Sequence, residues 1–358
     1  MKKYVFSLLI LLIIVLSFNA CKQCNNSTVE VSKIDSVGIP KIAAINESIR
    51  KDSLNPNLYY QRAQLYEASE DYTSAATDMF FALTLDSVRP EFYVYAANLF
   101  KKTGDIKRGV ALMNKAIATD SMNTTFYVKA AELIYIDKSV EGNYISALDY
   151  LNAAIEKDPQ NADIYFYKGN IFKEVGDTAK AISSFQTATE LDPKFYHAYV
   201  QLGLLLTAKK DKNAERYLDN AIKVGLNPED ALYAKADILK DAGVSLYDAG
   251  KYEKAVAKLS EAAATFRKVI DLNHKNTEAY MGAGFCYYQM DSLTDAYKFY
   301  DLATKIDPTY AGAYFSKGLC AEDLGRKEEA ISLYRDCLNL DPQFKRAATH
   351  LSNLQKAK

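Results

Sequence analysis

From about residue 56 onward, apolar residues recur at helical spacing, and the pattern itself repeats. Tyr59, Tyr93, Tyr127, Tyr165, Tyr199, Leu239, Tyr280 and Tyr314 hold one equivalent place, at spacings of 34, 34, 38, 34, 40, 41 and 34. Four residues after each stands a small residue: Ala63, Ala97, Ala131, Gly169, Gly203, Gly243, Gly284 and Gly318. In the second half of each unit Ala recurs at 75, 147, 181, 214, 255, 296 and 330. A second small residue follows seven places later, from Ala82 to Ala303, with Cys337 in the last unit. Units often close on Asp-Pro, as at Asp158-Pro159, Asp192-Pro193, Asp307-Pro308 and Asp341-Pro342. Two helices per unit explain all of this. Small residues permit their close approach, and Gly in turns such as Val175-Gly176-Asp177 ends the first helix. Pro stops the second helix, because the residue before it is biased away from helix.

The spacing predicts an all-α chain of about eight units, at 56–89, 90–123, 124–161, 162–195, 196–229, 230–275, 277–310 and 311–344. Residues 39–55 read as an orphan helix packing on the first unit, and 345–358 as a capping helix over the last apolar face. The third unit carries extra residues near Asp137–Gly142, read as a longer turn. The fifth ends Val224-Gly225-Leu226-Asn227-Pro228, and the sixth has long helices, Asp230–Ala249 and Tyr252–Leu272. These irregularities fit either drift in one continuous array or a joint near 225–229, between units 1–5 (56–229) and units 6–8 (230–344).

The pattern resembles the tetratricopeptide repeat (TPR): an aromatic at position 4, Gly or Ala at 8, Ala at 20 and 27, Pro at 32, with a 34-residue period. Tyr stands here where that family commonly has Trp, which accounts for part of an excess of 27 Tyr with Trp absent. The resemblance implies a TPR solenoid, a right-handed superhelix of antiparallel helix pairs. It also implies that positions 8 and 20 face each other, and that the first helices line a groove for a protein partner.

Charge removes some functions. Lys and Arg number 44 against 45 Asp and Glu, so there is no basic footprint for nucleic acid. The N-terminus reads as an address. Met1-Lys2-Lys3 precedes a fifteen-residue apolar run, Tyr4 to Phe18, which is short for a spanning helix. Ala20-Cys21 resembles the cleavage point of a bacterial lipoprotein, in the relaxed form of the Bacteroidetes group, with Phe18 where the usual signal has Leu. Residues 1–20 are then a signal peptide, Cys21 the lipidated (palmitate-bearing) residue, and 21–38 a polar tether. Lys22, not Asp, follows Cys21, so the expected location is the outer membrane, on its periplasmic face. An uncleaved anchor or plain secretion is the alternative.

No phosphate loop or zinc-protease helix occurs in the sequence, and the one Cys-x-x-Cys spacing, Cys21 to Cys24, includes the Cys expected to be acylated, so no catalytic residue, metal or cofactor is expected. His197, His274 and His350 read as scattered, exposed helix-end residues, and Cys286 and Cys320 as buried thiols in equivalent packing slots. A disulfide involving Cys337 is left open. Asp-Ser/Thr-apolar triplets, including Asp52-Ser53-Leu54, Asp86-Ser87-Val88 and Asp120-Ser121-Met122, resemble an O-glycosylation signal of Bacteroidetes envelope proteins, but also fall where a unit would end Asp-Pro.

The groove slots implied by the resemblance supply the candidate protein-binding residues. They are Phe166, Asn170 and Lys173 in the fourth unit, Tyr247 in the sixth, Met281, Phe285 and Tyr288 in the seventh, and Phe315 and Leu319 in the eighth. The paired Lys and Asn of the family's chaperone-tail clamp are absent. The last two units offer an apolar stripe of the kind that marks an interface when exposed. Such a stripe also packs against neighbouring helices or the cap. The expected function is a protein–protein interaction scaffold anchored in the outer membrane and serving an envelope complex, by assembly, secretion or regulation of cell-wall enzymes. The alternative is a ligand- or glycan-binding receptor of an uptake system. On the first reading, charge at Phe285 or Phe315 abolishes partner capture and leaves the fold intact.

Overall fold

The computed structural model describes residues 38–137 and 143–356. The expected signal peptide, all of the tether but Gly38, and Cys21 lie outside the described residues, as do five residues of the third unit's extra turn. Among the described residues there are eighteen helices and no strand. None is long and apolar enough to cross a membrane. The chain divides into two compact units between Gly104 and Asp105.

The first unit holds α1 (Gly38–Lys51), α2 (Pro56–Ala68), α3 (Tyr72–Leu85) and α4 (Pro90–Thr103). The second holds α5 (Ile106–Thr119) and then six helix pairs: α6 (Thr124–Ile136) with α7 (Asn143–Lys157), α8 (Ala162–Glu174) with α9 (Thr178–Leu191), and α10 (Tyr196–Ala208) with α11 (Ala214–Val224). The array continues through α12 (Glu229–Asp248) with α13 (Tyr252–Leu272), α14 (Thr277–Gln289) with α15 (Leu293–Ile306), and α16 (Ala311–Asp323) with α17 (Lys327–Leu340), and ends on α18 (Lys345–Lys356). In the first unit α1 packs on α2, where Arg62 donates from Nη1 to Asn46 Oδ1 at 2.6 Å. The same guanidinium grips buried Asp78 with two bonds of 2.6 and 2.7 Å. Paired in this way, a buried carboxylate keeps its charge satisfied.

Local chemistry starts and stops each helix at repeating places. Side chains of Asn55, Asn123, Asn161 and Asn276 cap first helices, while Asp71, Asp105 and Asp177 cap second helices, each accepting a backbone N–H. Second helices end on an Asp whose carboxylate accepts the N–H two residues on, at Asp86 and Asp120 as at Asp158, Asp192, Asp307 and Asp341. Asp-Ser and Asp-Pro therefore make the same turn. That turn's next carbonyl takes the position-4 tyrosine hydroxyl. Tyr59, Tyr93, Tyr127 and Tyr165 donate to the carbonyls of Ser53, Ser87, Ser121 and Pro159 at 3.0–3.2 Å. Between the two helices of every pair but the third, whose turn lies mostly outside the described residues, one residue is left-handed. It is Gly at 104, 176, 250 and 325, but Glu70, Lys210 and Asp291 elsewhere.

Every Ala at position 20 or 27 named above is buried. The closest approach, however, pairs position 8 with a residue the sequence pattern did not single out. A Cβ on Gly169 would lie 2.6 Å from the Phe185 ring; on Gly284, 2.7 Å from Tyr300; on Gly318, 2.7 Å from Tyr334. Where position 8 is Ala63 or Ala131, its counterpart is the narrower Met79 or Leu151. All are fully or almost fully buried.

At 225–229, where the sequence allows either drift or a joint, the chain is closely packed. A Cβ on Gly225 would meet the Tyr196 ring at 2.7 Å, and Val200, Ala221 and Ala231 form one buried cluster across the turn.

Gly169→Ala should destabilise the chain by about 1–3 kcal/mol through overpacking on Phe185. Adding Phe185→Met copies the pairing of Ala63 with Met79 and should recover part of that loss. Urea unfolding of the two single variants and the double variant checks this; strictly additive effects would contradict the pairing.

Candidate functional site

The sixth repeat is built differently from its neighbours. Its helices have 20 and 21 residues, where α10 and α14 have 13 each. Leu239 is the eleventh residue of α12, whereas the equivalent Tyr280 is the fourth of α14, so α12 begins seven residues early. That adds about two turns, or roughly 10 Å. The extension is tied to the far end of α13. Tyr233 meets Phe266 edge-on at 5.6 Å, and Glu229 Oε1 accepts from the amides of Asn273 at 2.8 Å and Asn276 at 2.9 Å.

Two cavities flank this tall step. One, of about 530 Å³, runs from Val200, Gln201 and Leu204 on α10 to Glu229, Asp230, Tyr233 and Asp237 on α12, and to Asn276 and Glu278 at the start of α14. The other, of about 270 Å³, shares Tyr233, Asp237 and Glu278 and adds Lys240, Phe266, Met281, Phe285, Tyr300 and Ser316. Asp237 pairs with Lys240. Glu229, Asp230 and Glu278 have no ion-pair partner among the described residues. The phenol of Tyr233 is held above its ordinary pKa by burial first, then by Glu278 and Asp237, with Lys240 opposing. Tyr310 is raised likewise by burial and Glu278.

The sequence-predicted groove residues separate into groups. Met281 and Phe285 are half-buried and line the smaller cavity together. Tyr288 is half-buried, and its hydroxyl donates to Asp323 Oδ2 at 2.6 Å. Tyr247 is exposed and stands edge-on to Tyr252 at 5.1 Å, outside both cavities. Phe166 is wedged among Tyr167, Phe185 and Phe195, and Asn170 is half-buried near it on α8. Lys173 is exposed and donates to Gln201 Oε1 at 2.7 Å.

Phe315 departs from the expectation. It is only 3% exposed, covered by α18: Phe344 lies 5.0 Å from its ring, His350 5.8 Å, and the Arg346 guanidinium 4.8 Å. Leu319 packs against the same cluster. The cap fills these two slots because the last repeat has no following first helix to cover them. His350 is likewise not an exposed helix-end residue. Its Nδ1 lies 2.9 Å from Glu322 Oε2, which also accepts the Tyr334 hydroxyl at 2.5 Å.

Tyr233, Glu229, Asp230 and Glu278 were not among the expected site residues. The signal for three of them was the long sixth-unit helix, which the slot positions of an ordinary repeat do not reach. Cys286, Cys320 and Cys337 are free and buried. Burial pushes the thiols of Cys286 and Cys320 up to about 12 and that of Cys337 to about 11, so none is a thiolate at neutral pH. Among the described residues no group of three or more His, Cys, Asp or Glu could hold a metal ion.

Tetratricopeptide repeat models match residues 150–183, 240–311 and 311–344. DnaJ homolog subfamily C member 3 of Homo sapiens is 23% identical over 224 residues, covering 60% of this chain and 43% of that protein. A TPR repeat-containing protein of Methanocaldococcus jannaschii is 25% identical over 207 residues, covering 55% of this chain and 34% of that one. The chain therefore spans less than half the length of these curated relatives. Among solved structures, YrrB, described as a TPR protein with an unusual peptide-binding site, is 22% identical with a TM-score of 0.47, over 56% of this chain and 96% of that one. The C-terminal part of a TPR repeat-containing protein from Cytophaga hutchinsonii is 19% identical with a TM-score of 0.46, over 69% of this chain and 94% of that one. The matched segments carry tetratricopeptide repeats, and the helix pairs between them follow the same pattern of small and large positions.

Phe315→Ala should cost about 3–5 kcal/mol, the usual range for truncating a buried Phe, and should free α18 to proteolysis at Lys345 and Arg346. Phe285→Ala, at a half-buried site, should cost clearly less. Thermal melts and timed limited proteolysis of both variants check the contrast; equal losses would contradict the burial described for Phe315.

Proposed function

We propose that the chain is a protein-binding scaffold that works attached to a membrane through lipid on Cys21, at the outer membrane and facing the periplasm, in service of an envelope complex. The observation that carries the binding half is the groove over the fifth to seventh repeats. Half-buried aromatic and apolar side chains (Tyr233, Met281, Phe285) line it beside carboxylates, of which Glu229, Asp230 and Glu278 have no ion-pair partner among the described residues. Half-buried aromatic groups next to polar ones are what desolvated interface centres are made of. Tetratricopeptide repeats are themselves interaction modules, and this array offers its first helices as a scaffold of fixed spacing.

The membrane half rests on the sequence of residues 1–21: a basic start, a short apolar run and a Cys after a small residue. A protein carrying more than one acyl chain stays on a bilayer, whereas a single chain binds only marginally.

Two measurements test the halves separately. A photo-crosslinking side chain in place of Leu204 or Phe285 in living cells should capture one and the same protein, and the same group in place of Leu302, exposed on the second helix α15, should not. Absence of protein adducts from every groove position sinks the scaffold reading. Cys21→Ala should abolish incorporation of labelled palmitate and move the chain from the membrane pellet to the soluble fraction; a variant that stays in the pellet removes the lipid anchor.

A further inference from the structure

We propose that the step created by the long sixth repeat takes a cationic polypeptide segment, one that presents Lys or Arg beside an apolar side chain. This rests on the scaffold reading above and adds to it the chemistry of the partner. The two cavities are lined by four carboxylates, Glu229, Asp230, Asp237 and Glu278, against one ammonium, Lys240, a local excess of three negative charges. The whole chain, over 358 residues, carries a net charge of only −1. The excess is therefore a property of this place and not of the surface in general.

Glu229 helps to fasten α12, but none of Glu229, Asp230 and Glu278 is neutralised by a cation among the described residues. Glu229 is engaged only by neutral amides of Asn273 and Asn276. Asp237 shares Lys240 with Asp241, which lies 3.6 Å from the same ammonium. Asp230 and Glu278 are exposed and have no cation beside them among the described residues. Tyr233, Met281 and Phe285 line the smaller cavity with Asp237 and Glu278, a surface for the methylene stem of a Lys or Arg whose charged head reaches either carboxylate. A low-dielectric wall concentrates the field of these carboxylates, so an acidic tail, a phosphopeptide or a nucleic acid is repelled from the same place.

The extra two turns of α12 are what make the difference. A first helix of ordinary length would start at Ala236, and Glu229, Asp230 and Tyr233 would not exist at this position. The insertion thus adds Glu229, Asp230 and Tyr233 to a site whose other groups, Asp237, Glu278, Met281 and Phe285, stand on the standard repeat.

The test uses two fluorescein-labelled peptides with the same apolar residues, one carrying lysines and the other glutamates at the charged places. Fluorescence anisotropy with the whole protein should show the lysine peptide binding at least about tenfold more tightly, with the difference falling in high salt. The variant Asp230→Asn/Asp237→Asn/Glu278→Gln should lose about tenfold for the lysine peptide. Replacing the same three residues by Lys should reverse the preference, a gain that a misfolded protein would not show; circular dichroism confirms the helix content of both variants. Equal binding of the two peptides, or a lysine-peptide affinity unchanged in the neutral variant, overturns the proposal. The scaffold reading would survive that result, since crosslinking from Leu204 and Phe285 tests it independently of charge.

Discussion

Everything in this fold depends on how closely two helices can lie where position 8 of a repeat meets the side chain that faces it. A side chain there is measured against its partner: Gly169 with Phe185, Gly318 with Tyr334, Ala63 with Met79. Glycine there meets a ring at Phe185, Tyr300 and Tyr334 and a leucine at Leu218 and Leu259, in each case too close for a Cβ without a shift. From that contact come the tilt of each pair, the burial of the alanines at positions 20 and 27, and the direction in which the first helix presents its outer slots.

The turns between repeats are held by polar chemistry that repeats as faithfully as the core. The Asp carboxylate closes the turn, and the tyrosine hydroxyl from the next helix donates to its carbonyl. A Trp at position 4 has an N–H donor of different reach and no hydroxyl. The recurring Tyr59, Tyr93, Tyr127 and Tyr165 are thus matched to the turn carbonyl that their hydroxyls reach. Asp-Ser at 86–87 and Asp-Pro at 158–159 are two spellings of one geometry, so the Asp-Ser-apolar triplets at those turns have a structural reason of their own.

Much of the fold is written in the period of the chain, because a packing contact that recurs every 34 residues leaves the same mark each time. The role of the residue that faces position 8 was hidden, since Met79, Leu151, Phe185 and Tyr334 have little in common but bulk. The site was less legible. Phe315 occupies a groove slot by count, yet a slot is open or closed according to the next helix in the stack, and here α18 closes it. Glu229, Asp230 and Tyr233 precede the point where an ordinary first helix starts, so counting from position 4 cannot reach them. His350 takes its environment from Glu322 and Phe315, both distant in sequence.

The tall sixth pair also bears on how such a chain can change over generations. Rungs of 13 and 14 residues, such as α8 with α9 and α14 with α15, are alike enough that in-frame recombination could delete or duplicate one and leave the stack in register. The pair α12 and α13 is not exchangeable in that way. Its ends reach past both neighbours and are fastened there by Tyr233 on Phe266 and by Glu229 on Asn276, a residue of the next repeat. A slip at this rung would strand the Glu229–Asn276 fastening. It therefore fixes the frame against which the copy number on either side is free to vary.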